Sequence, residues 1–234
     1  MAQAARPPVP TLARGAAKTA PTWRAAYSDR TAHLMSVLSE LAYLPFENTP
    51  QLTPKQPRPE RKGGRNALDK HLGPDFKLAA VFNRDDTQAY LAVSPDFAVL
   101  AFRGTSSLGD WVTNLHAELV PLEGAPAQVM VHAGFLSAFE CCRAEIKAAV
   151  NKYVPPDLGL YITGHSLGGA LAQIASAALE RDNLAACYTF GSPRVGTSDF
   201  DRQVKCPHYR VVNRSDLVPG VPAPRPGAAA PAPS

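Results

Sequence analysis

The chain has 234 residues, of which 45% are hydrophobic, and it carries a formal net charge of +4. This length and apolar content suffice for one domain with a sizeable core. No apolar run approaches the roughly 18 residues that span a bilayer, and the N-terminus lacks the apolar stretch of a secretory signal. The sequence therefore predicts a cytoplasmic location and no transmembrane segment.

The positive charge is concentrated in two segments. Residues 1–28 and 51–66 each have a net charge of +4, which leaves the remainder of the chain at −4. A folded part without a basic face excludes nucleic acid as a partner, and nothing indicates a protein partner. The basic segments are typical of solvated linkers, although they could contact an anionic membrane or a lipid-droplet surface transiently.

Hydrophobic periodicity predicts an α/β domain over residues 28–218, between a disordered basic tail (1–27) and a Pro- and Ala-rich disordered tail (219–234). The first helix begins at Ser28 and ends before Pro45, and a flexible basic loop (46–66) follows it. Strands and helices then alternate, which is typical of a largely parallel sheet with flanking helices. The predicted strands cover residues 77–82, 88–93, 97–102, 128–132, 158–163, 184–190 and 209–213, and the later helices cover 107–119, 134–153, 166–181 and 198–204.

The sequence Gly164-His165-Ser166-Leu167-Gly168 is a G-x-S-x-G motif between a predicted strand and a predicted helix. In that context the turn lifts the serine hydroxyl off the sheet, and the two glycines let strand and helix approach without a Cβ clash. The start of the helix adds free N–H groups beside the reacting centre. The pattern predicts Ser166 as a catalytic nucleophile.

Asp216 is the second candidate catalytic residue. It follows the predicted strand 209–213, and catalytic groups collect at the carboxyl ends of strands in such sheets. The order serine before aspartate also fits the triads of this kind of fold. The alternative is that Asp216 only turns the chain in Ser-Asp-Leu-Val-Pro.

An oxyanion hole needs backbone donors aimed at the developing negative charge. One candidate donor is the N–H of Leu167, directly after the nucleophile. The other belongs in a loop after an early strand, where Gly104 permits a tight turn and Thr105 offers both a hydroxyl and an N–H. A Gly-Thr-Ser turn is also common in ordinary loops.

No metal or cofactor site is predicted. The four cysteines, Cys141, Cys142, Cys187 and Cys206, show no metal-binding spacing and are expected to be reduced. Cys142 falls on the apolar stripe of the helix over residues 134–153 and is expected in the core.

Six blocks in order, LAFRGTSS, DWVTNL, VHAGFLSAF, YITGHSLGGALA, YTFGSPRVG and YRVVNRSDLVPGVP, resemble the class 3 lipases, the fungal triacylglycerol lipase-like family. The resemblance covers about residues 30–222. It implies an α/β-hydrolase fold, Ser166 as nucleophile, Asp216 as the acid that orients a histidine, and an oxyanion hole formed by Thr105 and Leu167. It also implies that Ser106 and Trp111 lie in the lid over the acyl pocket.

The sequence departs from this family after Asp216, where the family places its catalytic histidine and this sequence has none. We expect the segment 219–234 to be unable to position a base, as in a truncated, frameshifted or degenerate copy. His165 is expected to point away from the serine, and His132 to be structural. None of the other histidines fits the expected position: His33, His71, His116 and His208.

The sequence therefore supports two hypotheses. The first is a lipase or esterase that cleaves acylglycerols or related carboxylic esters through an acyl-enzyme on Ser166. The second is an impaired or inactive homologue that at most binds lipids or acyl chains, because loss of the histidine alone can lower kcat by about 10⁶. An acyltransferase on the same fold would differ mainly in excluding water.

Overall fold

A computed structural model describes residues 10–14, 26–44, 67–85, 87–104, 118–214, 216 and 218–221. Eight strands lie in this part of the chain: β1 (Lys77–Arg84), β2 (Thr87–Val93), β3 (Phe97–Phe102), β4 (Leu119–Pro121), β5 (Met130–His132), β6 (Gly159–His165), β7 (Leu184–Phe190) and β8 (His208–Val211). The α-helices are α1 (Asp29–Leu41), α2 (Ala67–His71), α3 (Ala133–Tyr153), α4 (Leu167–Ala178) and α5 (Ser198–Asp201). A 3₁₀ turn, Val218–Gly220, follows β8.

Six strands form the main sheet in the order β1-β2-β3-β6-β7-β8. The first three are antiparallel neighbours, whereas β3, β6, β7 and β8 are mutually parallel. The parallel strands therefore end at one edge of the sheet, where the candidate site lies. The strands β4 and β5 form a separate antiparallel ribbon.

The sheet is covered by helices on both faces. Ala98, Leu100 and Phe102 of β3 pack into the core that includes α3 and α4, while the alternate side chains of β3 pack against α1 and α2. All six residues of β3 are buried. A continuous apolar run rather than an alternating one is expected of a strand buried on both faces.

The helix α1 is fixed at its start by Ser28, whose hydroxyl oxygen accepts a hydrogen bond from the Thr31 N–H at 3.5 Å. Leu34, Leu38 and Leu41 form its buried stripe, as the periodicity of the sequence predicts. Tyr90 of β2 donates its hydroxyl to the Leu38 carbonyl at 2.6 Å. The helix is therefore attached to the sheet by apolar packing and by a buried hydrogen bond.

Residues 10–14 differ from the predicted disordered tail. Leu12 is buried in the core beside α2, and its N–H donates to the carbonyl of His71 at 3.0 Å. Leu68 of α2 and Leu72, which directly follows this short helix, are buried in the same cluster as Leu12. A run of five helical residues gives too weak a periodic signal to be recognised from the sequence.

The start of the predicted C-terminal tail also differs from expectation. Pro219 and Gly220 belong to the 3₁₀ turn, and the carbonyl of Val221 accepts a hydrogen bond from Arg194 N at 2.9 Å. The predicted basic loop 46–66 lies outside the described residues. The predicted helix over 107–119 also lies outside them, except for Glu118 and Leu119. Among the helices that the structure does describe, none is both long and apolar enough to cross a membrane.

We predict that Leu100→Ala lowers the free energy of unfolding by about 2–5 kcal/mol, because the side chain is fully buried in the central strands. Urea unfolding measures this change. Val212→Ala is the control, because Val212 is 51% exposed, and its effect should stay within about 0.5 kcal/mol. Equal effects of the two substitutions would contradict the assignment of β3 to the core.

Candidate active site

Ser166 occupies a strained turn between β6 and α4. Its backbone angles are φ 55° and ψ −127°, a conformation that costs about 1–3 kcal/mol and persists only where the surrounding structure imposes it. The Ser166 N–H donates to the carbonyl of Phe190 at 2.9 Å, and the Ser166 carbonyl accepts from Gly169 N at 2.9 Å. These bonds hold the serine between the ends of β6 and β7.

Two glycines allow the strand and helix to approach at this turn. A Cβ on Gly164 would overlap the carbonyl of Gly168, and a Cβ on Gly168 would overlap the carbonyl oxygen of Phe102 at the end of β3. The helix α4 therefore begins in contact with two strands. Leu167 is its first residue, so the N–H of Leu167 is among the four amides that have no intrahelical acceptor.

The hydroxyl of Ser166 is buried without a hydrogen-bond partner. The residue is 1% exposed, and its Oγ forms no hydrogen bond. Buried polar atoms are nearly always paired, so an unpaired hydroxyl at a strained turn requires an explanation. A group that enters the site as substrate or as a base would provide the missing partner.

Asp216 lies beyond the end of β8 and is held on one side. Its Oδ1 accepts a hydrogen bond from the Val218 N–H at 2.9 Å, and its own N–H donates to the carbonyl of Asn213 at 3.0 Å. Its Oδ2 faces Gly191, which has φ +55° and whose Cβ, if present, would lie 2.8 Å from that oxygen. A side chain at position 191 would displace this carboxylate oxygen and would also strain the backbone, because φ is positive.

The structure thus brings Ser166 and Asp216 to the same edge of the sheet. The N–H of Ser166 is hydrogen-bonded to the carbonyl of Phe190. The carboxylate of Asp216 lies against Gly191, the residue that follows Phe190. An open cleft of about 490 Å³ lies at this edge, lined by the ends of β6, β7 and β8 and by Asp216. Val212, which is 51% exposed, also lines it.

Arg210 fixes the loop that carries Asp216. Its guanidinium donates to the carbonyls of Ser192 at 2.8 Å and Pro219 at 2.8 Å, so it joins the segment after β7 to the turn after Asp216. Burial lowers the pKa of Arg210, and the nearby Arg194 acts in the same direction. The sequence analysis missed this residue, because an arginine on a strand gives no local signal of carbonyl partners elsewhere.

His165 points towards the end of α1. Its Nδ1 lies 2.9 Å from the hydroxyl oxygen of Tyr43, a residue that the sequence analysis also missed. Withdrawal of the ring from water lowers the pKa of His165, and the carboxylates of Asp216 and Glu40 act in the opposite direction. No hydrogen bond joins this imidazole to Ser166. This is expected, because successive side chains at the end of a strand point in opposite directions.

The remaining described histidines lie in structural positions. His132 caps α3, where its Nδ1 accepts from the Gly134 N–H at 3.1 Å, and its ring stacks on Phe135 at a centroid distance of 4.2 Å. The Nδ1 must be unprotonated to accept, so the proton lies on the buried Nε2, which has no partner. His71 is part of α2 and His33 is on the exposed side of α1.

His208 is the first residue of β8 and therefore lies at the opposite end of this strand from Asp216. Its Nε2 is 3.0 Å from the hydroxyl of Thr189. This imidazole therefore bonds to β7, and it forms no hydrogen bond to Ser166.

Thr105, Ser106 and Trp111 lie outside the described residues, as does His116. The preceding Gly104 is described, and a Cβ on it would overlap the hydroxyl of Tyr43 and lie 2.5 Å from the carbonyl oxygen of His165. The loop that leads to Thr105 therefore begins in contact with the serine turn.

The described side chains at this edge of the sheet include the hydroxyl of Ser166 and the carboxylate of Asp216. The parts of the chain with assigned positions contain no group of three or more His, Cys, Asp or Glu residues able to hold a metal ion. The four cysteines form no disulfide, and Cys142 and Cys187 are buried. What the edge of the sheet offers is a hydroxyl, a carboxylate and helix amides.

Gly168→Ala is expected to destabilise the protein by about 3 kcal/mol or more, because the added methyl group meets a backbone carbonyl that cannot move aside. Gly220→Ala is the matched control: its Cβ would meet nothing within 4 Å. The substitution at Gly220 should be neutral or slightly stabilising. Denaturant unfolding of both variants tests the close packing of the serine turn.

The stability of the protein should fall as the pH is lowered from about 6.5 to about 4. Burial lowers the pKa of His208 to about 4, and Arg210 acts in the same direction. Because the unfolded chain binds this proton more readily, the folded state loses up to about 3 kcal/mol over that range. His208→Gln should reduce this loss in urea unfolding, whereas His33→Gln on the exposed side of α1 should not.

Comparison with known proteins identifies similar sequences. The family model for lipase (class 3) matches residues 99–225. The secreted mono- and diacylglycerol lipase 1 of Fusarium solani is 40% identical over 135 residues, which are 53% of this chain and 39% of the relative. The Rhizopus niveus lipase is 35% identical over 175 residues, 64% of this chain and 42% of that protein.

Solved structures give the same result. Lipase II from Rhizopus niveus superimposes with a TM-score of 0.60 and 31% identity, covering 67% of this chain and 64% of that one. A triacylglycerol lipase whose catalytic centre is formed by a serine protease triad gives a TM-score of 0.56 and 30% identity, covering 64% and 62%. This chain spans about two fifths of the length of the two curated relatives. The predicted α/β-hydrolase fold is confirmed, and the chain belongs to the class 3 lipase family.

Proposed function

We propose that this chain hydrolyses carboxylic esters of acylglycerols or related lipids, with Ser166 as the nucleophile. The observation that carries the proposal is the buried, unpaired hydroxyl of Ser166 at a strained turn before α4. A serine that serves only packing would adopt a relaxed backbone and hydrogen-bond its hydroxyl. The relationship to a mono- and diacylglycerol lipase supports the substrate class.

The reaction would proceed through an acyl-enzyme. Ser166 Oγ attacks the ester carbonyl carbon and gives its proton to a base, and the oxyanion that forms accepts hydrogen bonds from the N–H of Leu167 and from Thr105. The alcohol then leaves with that proton. Water, deprotonated by the same base, releases the acid and regenerates the serine.

Asp216 would orient this base. Its Oδ1 accepts from Val218 N, and its Oδ2 lies next to Gly191, which lines the cleft. A neutral imidazole in the cleft would donate one N–H to this oxygen and accept the proton of Ser166 on its other nitrogen. A cytoplasmic location and contact with a lipid surface stay predictions from the sequence.

The second candidate function is lipid binding with little or no turnover. It is favoured because no histidine among the described residues hydrogen-bonds to Ser166, and the imidazole nearest to Asp216 directs its Nδ1 to Tyr43. The oxyanion hole and substrate binding alone can still accelerate the reaction about 10³–10⁴-fold over the rate in water. The two functions therefore differ in rate rather than in the surface that meets the lipid.

Ser166→Ala should reduce hydrolysis of p-nitrophenyl butyrate by the purified chain to the background rate, because the substitution removes the nucleophile. Ser36→Ala, which removes a hydroxyl bonded only within the exposed turn of α1, should retain the parent rate. Equal rates for the parent and Ser166→Ala would contradict the proposed hydrolysis. Repeating the assay with monoacylglycerol, diacylglycerol and phospholipid would identify the preferred lipid.

Free imidazole in the same assay separates the two functions. In a chain that lacks its base, imidazole entering the cleft should accelerate hydrolysis in the parent but not in Ser166→Ala. A chain with an efficient base of its own should show no acceleration beyond that of the Ser166→Ala control. The difference between the two responses tells which function applies.

A further inference from the structure

We propose that Tyr43 is a positioning residue, which holds the loop before Thr105 against the serine turn through its hydrogen bond to His165. This inference rests on the proposed hydrolysis, since it concerns the alignment of the nucleophile with the oxyanion hole. The hydroxyl of Tyr43 forms no hydrogen bond with Ser166 Oγ. It follows the end of α1, a helix that otherwise belongs to the core on the other face of the sheet.

The hydroxyl of Tyr43 lies where two catalytic segments meet. On one side it is 2.9 Å from Nδ1 of His165, the residue directly before the nucleophile. On the other side it abuts Gly104, where a Cβ would overlap it. Gly104 directly precedes Thr105 in the sequence, so the same oxygen contacts the segments that carry both proposed oxyanion donors.

The ring of Tyr43 contacts the loop a second time. The guanidinium carbon of Arg103 lies 5.8 Å from the ring centroid, within the range of a cation–π interaction. Arg103 is also attached to β2, because its N–H donates to the carbonyl of Gln88 at 2.9 Å and its side chain donates to the Gln88 side chain. The loop is thus fixed between β2 and the end of α1.

The protonation of His165 determines the direction of the hydrogen bond. Its Nε2 and the Oδ2 of Asp216 both lie within 3.6 Å of one point, the position of a Cβ on Gly191. A proton on Nε2 is therefore favoured by the carboxylate, which leaves Nδ1 to accept from the hydroxyl of Tyr43. The lowered pKa of His165 agrees with a neutral ring.

The relative position of the two proposed oxyanion donors, the N–H of Leu167 and Thr105, should affect the rate of hydrolysis. Misplacement of a reacting group by about 1 Å can lower a reaction rate about 10²-fold. Tyr43→Phe removes only the hydroxyl oxygen. We expect kcat for p-nitrophenyl butyrate to fall about 10–100-fold with little change in KM, because Tyr43 does not line the cleft. Tyr153→Phe is the control, since Tyr153 ends α3 at the opposite end of the sheet.

A double-mutant cycle tests whether Tyr43 acts through His165. Asparagine at position 165 can place an acceptor oxygen near the position of Nδ1, whereas leucine cannot, so His165→Asn should retain more activity than His165→Leu. In the Tyr43→Phe background the two substitutions should become equivalent, because the donor is absent. An unchanged difference between them in that background would overturn the proposal.

Backbone hydrogen exchange tests the same contact independently of turnover. Tyr43→Phe should increase exchange in the segments 103–106 and 165–167, and Tyr153→Phe should not. Parent-like exchange in these segments, or a parent-like kcat, overturns the proposal. If the parent shows no Ser166-dependent hydrolysis, the proposed function fails, and the exchange measurement alone decides whether Tyr43 holds the two segments together.

Discussion

The close approach of α4 to the ends of β3 and β6 is the constraint on which the site depends. At the start of α4, the carbonyl of Gly168 leaves no room for a side chain at position 164, and the carbonyl of Phe102 leaves none at position 168. Both positions must therefore be glycine. The residue between strand and helix must then reverse the chain within one position, and Ser166 does so at positive φ. The location of the serine hydroxyl is thus a result of backbone packing beneath it.

The same edge of the sheet is built from hydrogen bonds between segments that are distant in the chain. Arg210 joins the residues after β7 to the turn after Asp216, and Tyr43 reaches His165 across 122 positions of sequence. Polar side chains from β8 and from the end of α1 therefore set the positions of these segments. Within this network the Oγ of Ser166 has no hydrogen-bond partner, and Oδ2 of Asp216 lies next to Gly191.

Much of this arrangement follows from local sequence. The alternating strands and helices, the buried stripe of α1 and the turn at Ser166 could be predicted, because each is encoded within about twenty neighbouring residues. Asp216 could be placed at the edge of the sheet since it follows a strand. The family and the fold were predicted correctly from the six sequence blocks, whereas the catalytic roles stay predictions.

The residues that the sequence analysis missed act over longer distances. Nothing near Tyr43 indicates a histidine partner, and nothing near Arg210 indicates the carbonyl of Pro219. Leu12 was assigned to a disordered tail because its apolar neighbours, Leu68 and Leu72, are separated from it by more than fifty residues. Contacts of this kind depend on the completed packing, which a periodic pattern does not contain.

The part of the chain that matches the family model begins at residue 99, in the middle of β3. The segment that matches the family model is therefore smaller than the sheet to which it belongs. The other side of β3 is paired with β2, and its second face is covered by α1. A polypeptide restricted to residues 99–225 would lack Tyr43 and would begin with half a strand, leaving an apolar edge open to pairing with other chains. The residues before position 99 thus complete the sheet and cover one of its faces.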